Sequence, residues 1–164
     1  MGWMRIEPIC SRNYMATRSL RVFLDSNVII SGLLSDKGSP RIILDLLSFH
    51  FQGMTGVTGA YNLVEVERNL KRKLPRAIPL YQEYLPKLAL EVIPLPTRDE
   101  IARHHGMIAD KDLPVLLSAV NGVVDFLVTG DNKDFGKIKG MAEFKFAVVS
   151  PTEFLSEVGD WLRG

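Results

Sequence analysis

Cysteine is almost absent from this chain. Cys10 stands alone among 164 residues, which excludes an internal disulfide and a multi-cysteine zinc site. No apolar run approaches the ~18 residues of a membrane span. The opening stretch MGWMRIEPICSRNYMATRSL lacks a continuous apolar segment and makes a poor signal peptide. These absences predict a cytoplasmic, reducing home and no membrane partner. Excess charge of one sign is missing too, since 20 Lys and Arg against 19 Asp and Glu leave a net +1. There is no global field for nucleic acid, so any such case rests on local clusters. Internal repeats and low-complexity segments are also lacking.

What remains is ordinary globular composition, 46% hydrophobic and 24% charged, in a length that supports one domain with a real core. Met15 precedes a clean start, MATRSLRVFLD. Residues 1–19 are expected to form a flexible N-terminal extension without chemistry, and 20–164 the domain.

Strand-like and helix-like stretches alternate. Residues 21–24 read as a buried strand. Pro40 opens a helix over 40–48, with Ile42, Ile43, Leu46 and Leu47 at helical spacing. GMTGVTG (53–59) is a strand edged by glycine, and a helix over 60–74 follows. Pro75, Pro79 and Pro86 break the next stretch into short helical pieces. Leu90 to Leu95 is strand-like. Thr97 and Glu100 have capping-box spacing and open a helix over 97–108. A short helix over 110–122 stands behind an aspartate. Residues 126–129 and 145–149 are strands, and Ser150 with Glu153 opens a last helix over 151–162. This order implies an α/β fold, a three-layer α/β/α domain with a central parallel sheet. Ligands of such sheets bind beyond the carboxyl ends of the strands, at a topological switch point.

Two aspartates stand at that edge. RVFLDSNVIISG (21–32) places Asp25 directly after a strand, and FLVTGDNKDF (126–135) places Asp131 there, with Asp134 three residues on. A carboxylate between apolar runs is costly unless a helix N-terminus or a cation compensates it. Asp112, with Asp110 beside it, opens a helix, and Glu65 lies inside the helix over 60–74. Hard oxygen donors from separate elements suit Mg²⁺ or Mn²⁺ rather than zinc. Each residue also has an ordinary reading. Asp112 is then a helix N-cap, Asp25 with Asn27 a turn, Asp131 with Asp134 a polar loop, and Glu65 a solvated helix residue. The ordered set is more specific than any member.

VFLDSNVIISGLL, YNLVEVERNL, DKDLPVLLSAV and DFLVTGDNKDF, in this order, resemble the motifs of the PIN-domain family of metal-dependent ribonucleases. AVVSPTEFLSEV resembles that family's closing strand and helix. The resemblance runs from about residue 21 to 158. It implies that Asp25, Glu65, Asp112 and Asp131 meet at one end of a parallel sheet, where they act as catalytic residues and hold Mg²⁺ or Mn²⁺. Asn27, Thr129 and Asp134 would support them. Many small members of the family are toxins of toxin–antitoxin pairs, inhibited by a partner protein, and homodimers are common among them. Glu67 competes with Glu65 for the helix position. The two diverge by about 200° on a helix. On a stripe set by Leu63, Leu70 and Leu74, Glu67 falls on the buried line and Glu65 off it, so the wheel does not favour Glu65 while the resemblance does.

The densest basic cluster is Arg68, Lys71, Arg72, Lys73 and Arg76. Arg68 and Arg72 share a helix face, and Lys133 lies beside Asp131. These three are the candidate RNA-binding residues, through phosphate contacts. A solvated helix face is the alternative for the two arginines. Tyr61, Tyr81 and Tyr84 are available to stack on bases or to pack in the core.

The resulting expectation is a Mg²⁺- or Mn²⁺-dependent endoribonuclease that cleaves single-stranded RNA, with an antitoxin protein as partner if it is a toxin. The alternative is a PIN-like module that binds RNA or protein without cutting. A phosphohydrolase with Asp25 as nucleophile fits less well, because Asn27 stands where such enzymes carry a second aspartate.

Overall fold

A computed structural model describes residues 18–163. Most of the expected 1–19 extension lies outside the described residues. Its last two residues are docked on the domain. Arg18 Nη2 donates to Asp125 Oδ1 at 2.6 Å, and the Ser19 and Thr55 hydroxyls meet at 2.6 Å.

Five strands, β1 (Leu20–Leu24), β2 (Met54–Gly59), β3 (Glu91–Ile93), β4 (Phe126–Val128) and β5 (Ala147–Val149), form one parallel sheet in the order β3-β2-β1-β4-β5. From β1 at the centre the sheet builds out to β3, and the chain then returns to add β4 on the other side of β1. The switch point therefore lies between β1 and β4, whose carboxyl ends lead into Asp25 and Asp131.

The helices are α1 (Ser26–Leu34), α2 (Ser39–Ser48), α3 (Ala60–Lys73), α4 (Ile78–Tyr84), α5 (Arg98–Arg103), α6 (Leu113–Asn121), α7 (Asn132–Phe135) and α8 (Pro151–Arg163). They cover both faces of the sheet. Val22 and Leu24 of β1 face a core with Val66, Leu70, Tyr81 and Phe154, whereas Phe23 faces a second core with Leu113, Leu116 and Leu127. This strand alternation builds the expected three layers. Both capping boxes, Thr97 with Glu100 and Ser150 with Glu153, are formed. Among the described residues no helix is long and apolar enough to cross a membrane.

Two helices had no counterpart in the sequence reading. SNVIISGLL, which becomes α1, is rich in β-branched residues and carries a glycine, both weak helix formers, and it is apolar on nearly every side. Its helical form comes from burial between the sheet and α2. Gly32 permits the approach, since a Cβ there would lie 2.6 Å from the Leu44 side chain. The short α7 hides in what reads as a polar loop. The stripe on α3 also differs from the expected one. Its buried line is Asn62, Val66 and Leu70, while Leu63 is half-buried and Leu74 is exposed. A polar residue on the buried line had shifted the wheel.

Candidate functional site

Asp25 is the floor of the site. It is the N-cap of α1, and its Oδ1 accepts from Ser26 N at 2.7 Å. The helix N-terminus thus offsets part of its charge. Asn62 Nδ2 donates to the same oxygen at 3.1 Å. Thr129 Oγ1 donates to Oδ2 at 2.7 Å, with Asn27 Nδ2 at 3.4 Å. Only 6% of Asp25 is exposed. Burial raises its pKa above the usual carboxylate value, against the Thr129 and Ser26 hydrogen bonds, and the charges of Glu65 and Asp131 add to the rise.

Glu65 arrives from α3. It is half-buried, and Ser26 Oγ donates to its Oε2 at 2.9 Å. Ser26 Oγ in turn accepts from Asn62 Nδ2 at 3.1 Å. Glu67 is exposed and faces Tyr81, whose hydroxyl it helps push up to about 12 after burial has done most of the work. The helix therefore turns Glu65, not Glu67, toward Asp25.

Asp131 caps α7 by accepting from Asp134 N at 3.3 Å, and its own N–H donates to Thr129 Oγ1 at 3.0 Å. Asn27 Oδ1 accepts from Gly130 N at 3.0 Å, which fixes the loop after β4 against α1.

Asp112 behaves differently. It occupies the N-cap position of α6 yet makes no side-chain cap bond, and its Oδ2 is buried without a partner. The ordinary N-cap reading does not hold for it. Burial first, then the neighbouring Asp134 charge, pushes its pKa up to about 6. Asp134 itself is held below its ordinary value by Lys111, whose Nζ lies 2.8 Å from its Oδ2.

The structure thus brings Asp25, Glu65, Asp112 and Asp131 to one edge, with Asn27, Thr129 and Asp134 touching them. Asp110 is not in this group, since it pairs with His105 at the surface, 3.0 Å away. Arg68 and Arg72 are exposed on α3, and Lys133 lines an open depression with Asp131. Of the tyrosines, Tyr81 is buried and Tyr84 donates to Asp45 under the Arg41 guanidinium. Among the described tyrosines Tyr61 alone sits at the acids, where burial and then Glu65 raise its pKa. Sequence reasoning missed Asn62 and Lys111. The signal for Asn62 was a polar residue repeating with Val66 and Leu70. For Lys111 no local signal exists, because its partner is 23 residues away along the chain.

The donor set is all oxygen, partly buried and mutually repulsive, and it includes one orphaned carboxylate oxygen. Those properties fit a hard divalent cation. Among the described residues no group of three or more His, Cys, Asp or Glu side chains is placed to hold a metal ion as the side chains stand. Uncompensated carboxylates repel one another, which is a physical reason for the open arrangement.

A family model described as a PIN domain matches residues 21–133. No curated protein matches. Solved structures that share the fold include the following three. VapBC2 from Rickettsia felis, bound to a DNA fragment from its promoter, is 18% identical with a TM-score of 0.58, over 80% of this chain and 98% of that one. PAE2754 from Pyrobaculum aerophilum is 15% identical with a TM-score of 0.59, over 86% and 90%. DNA-bound VapBC from Salmonella typhimurium is 18% identical with a TM-score of 0.57, over 80% and 98%. PIN domains are generally nucleases. With well over half of its length matched, and with the sheet order and acidic edge in place, the chain belongs to the PIN-domain family.

Proposed function

We propose that this protein is a Mg²⁺- or Mn²⁺-dependent endoribonuclease that cleaves single-stranded RNA. The observation that carries the reading is the meeting of Asp25, Glu65, Asp112 and Asp131 at the switch point, with Asp112 Oδ2 buried and unpartnered. These four would hold the ions. When bound, such ions generate a nucleophilic water and stabilise the leaving oxygen. The chain's own residues do the positioning. Thr129, Asn62 and Ser26 N hold the Asp25 carboxylate in one orientation. The Ser26 hydroxyl aims Glu65, and Lys111 draws Asp134 aside. Arg68, Arg72 and Lys133 are the cations available to the RNA backbone.

A toxin role, with an antitoxin that covers the site and with a second copy of the chain as dimer partner, extends the same reading. It rests on the family and on the fold shared with two VapBC structures.

The test is cleavage of a fluorescent single-stranded RNA panel with Mn²⁺, Mg²⁺ or chelator, beside Asp25→Asn and Asp112→Asn. Metal-dependent cutting that both variants lose supports the proposal. A chain that binds neither ion and cuts nothing is instead a PIN-like binding module, a reading favoured by the lack of such a metal-holding group among the described residues.

A further inference from the structure

Two surfaces of different chemistry flank the acids. On the β2 side, Tyr61, Glu65, Arg68 and Arg72 recur along α3 at spacings of four, three and four residues. That spacing puts them on one face of the helix. Tyr61 touches the acidic group at one edge, where its hydroxyl donates to the Lys111 carbonyl at 3.4 Å, and it senses Arg68 at the other. Arg68 and Arg72 line an open groove of about 470 Å³ with Val64, Glu67 and Lys71, so three cations face one carboxylate there. Among the described residues neither guanidinium is in an ion pair. Their Cα atoms are about 6 Å apart along the helix axis, a spacing suited to neighbouring phosphates of an extended strand.

On the β4 side a depression of about 640 Å³ opens directly from Asn27 and Asp131. Val28, Pro40 and Pro151 form apolar walls, and Ser31 and Lys133 are polar positions on its lining. It is an open depression rather than an enclosed cavity, with volume enough for a small ligand and a mix of apolar wall and few polar groups. A nucleobase is such a ligand once it is unpaired.

We infer that a single nucleic-acid strand crosses the carboxyl edge of the sheet from α3 to this depression. Arg68 and Arg72 hold successive phosphates on one side of the acids. Tyr61 lies against the sugar and base next to them. The depression takes the nucleoside on the other side, with Lys133 near its phosphate. Apolar and aromatic surface combined with cations binds strands with little sequence preference. A duplex is excluded from this path because its bases cannot enter the depression while paired. The inference rests on the nuclease reading for what happens between the two ends, but the path itself is a binding property.

The test is binding of a labelled single strand of about 12 nucleotides to the full chain, as RNA and as DNA, with Mg²⁺ and with chelator. Anisotropy is read against salt, and the strand is checked for integrity afterwards. Every substituted position is at least partly exposed, and a urea midpoint confirms that each variant is folded. The Arg68→Gln, Arg72→Gln double variant should bind at least tenfold more weakly. Its slope of log K against log salt should fall by about 1.4, the value for two single-strand phosphates. Ser31→Trp, which fills the depression, should weaken binding about tenfold with the slope kept. Tyr61→Phe should bind as the parent does and Tyr61→Leu more weakly. Lys87→Gln, which lines neither surface, serves as control. Parental affinity and slope in the arginine double variant, or parental affinity in Ser31→Trp, overturns the path. So does a parent chain that binds no strand in either condition. A parent that binds with these dependences yet cuts with no ion leaves the path standing and removes the nuclease reading. A parent that cuts, with variants that bind and cut equally well, does the reverse.

Discussion

Thr129 and Asp25, 104 residues apart along the chain, are joined by a 2.7 Å hydrogen bond from Thr129 Oγ1 to Asp25 Oδ2. The same hydroxyl oxygen accepts from Asp131 N at 3.0 Å. One buried side chain therefore ties the ends of β1 and β4 together and sets both strand-end aspartates.

Thr129→Val keeps the shape and removes the hydroxyl. A buried carboxylate then loses a donor, and a backbone N–H loses its acceptor. The expected cost is about 1–3 kcal/mol, read as a lower urea midpoint at unchanged slope. A midpoint equal to that of the parent would show that the bond holds nothing in place.

Asp112 carries a pH dependence whose sign is fixed by its raised pKa. Its carboxyl is pushed from 3.8 to about 6, so between these values the folded chain binds more protons than the unfolded one. Its contribution to stability is full below about pH 4 and is lost as pH rises through about 6. In chelator, Asp112→Asn should therefore melt a few degrees above the parent at pH 7.5, with the gain shrinking toward pH 5. An equal gain at both pH values would trace the effect to something other than this carboxylate's charge.

Divalent ions should remove the same penalty. At 100-fold excess over Kd, an ion bound only by the folded chain adds about 2.7 kcal/mol, or a Tm rise of about 5–10 °C for a chain of this size. Asp131→Asn should lose most of that increment in Mn²⁺. Retention of the full increment would place the ion elsewhere.

Glu65 and Glu67 offer a paired comparison. Glu65→Gln should weaken the Mn²⁺-induced Tm rise and any cleavage at least tenfold in apparent ion affinity, because it alone meets Asp25. Glu67→Gln, at an exposed position, should stay within about 0.5 kcal/mol of the parent. The reverse pattern would reassign the helix ligand.

Gly59→Ala tests the backbone under the site. A Cβ there would lie 2.8 Å from both Asn62 Oδ1 and Ser118 Oγ. Asn62 must then move, and with it a donor to Asp25. The expected loss is about 1–3 kcal/mol, with weaker ion binding alongside. A stable variant with parental ion affinity would show that Asn62 is free to shift.

The sheet and most helices were legible because their signals are local. Apolar runs marked β1 and β4, and Thr97–Glu100 and Ser150–Glu153 announced two helix starts. α1 was not legible, because its nearly uniform apolar surface has no period and its β-branched residues argue against a helix. Asp25 stood out by following β1 directly, and Asp131 by closing the short turn after β4. Glu65 was chosen over Glu67 by the motif resemblance and not by the helical wheel, since Asn62 disguised the buried line of α3. Lys111 could be placed only in space, where Asp134 meets it.

Asp25 and Glu65 come from the first half of the chain, and Asp112 and Asp131 from the second, with β1 wedged between the strands of both. No fragment cut in the 103–106 turn region holds a whole acidic set. Two such fragments, each inert, would regain the centre only on reassembly around β1. The acidic edge thus belongs to neither half alone, and it exists only where the two halves meet around β1.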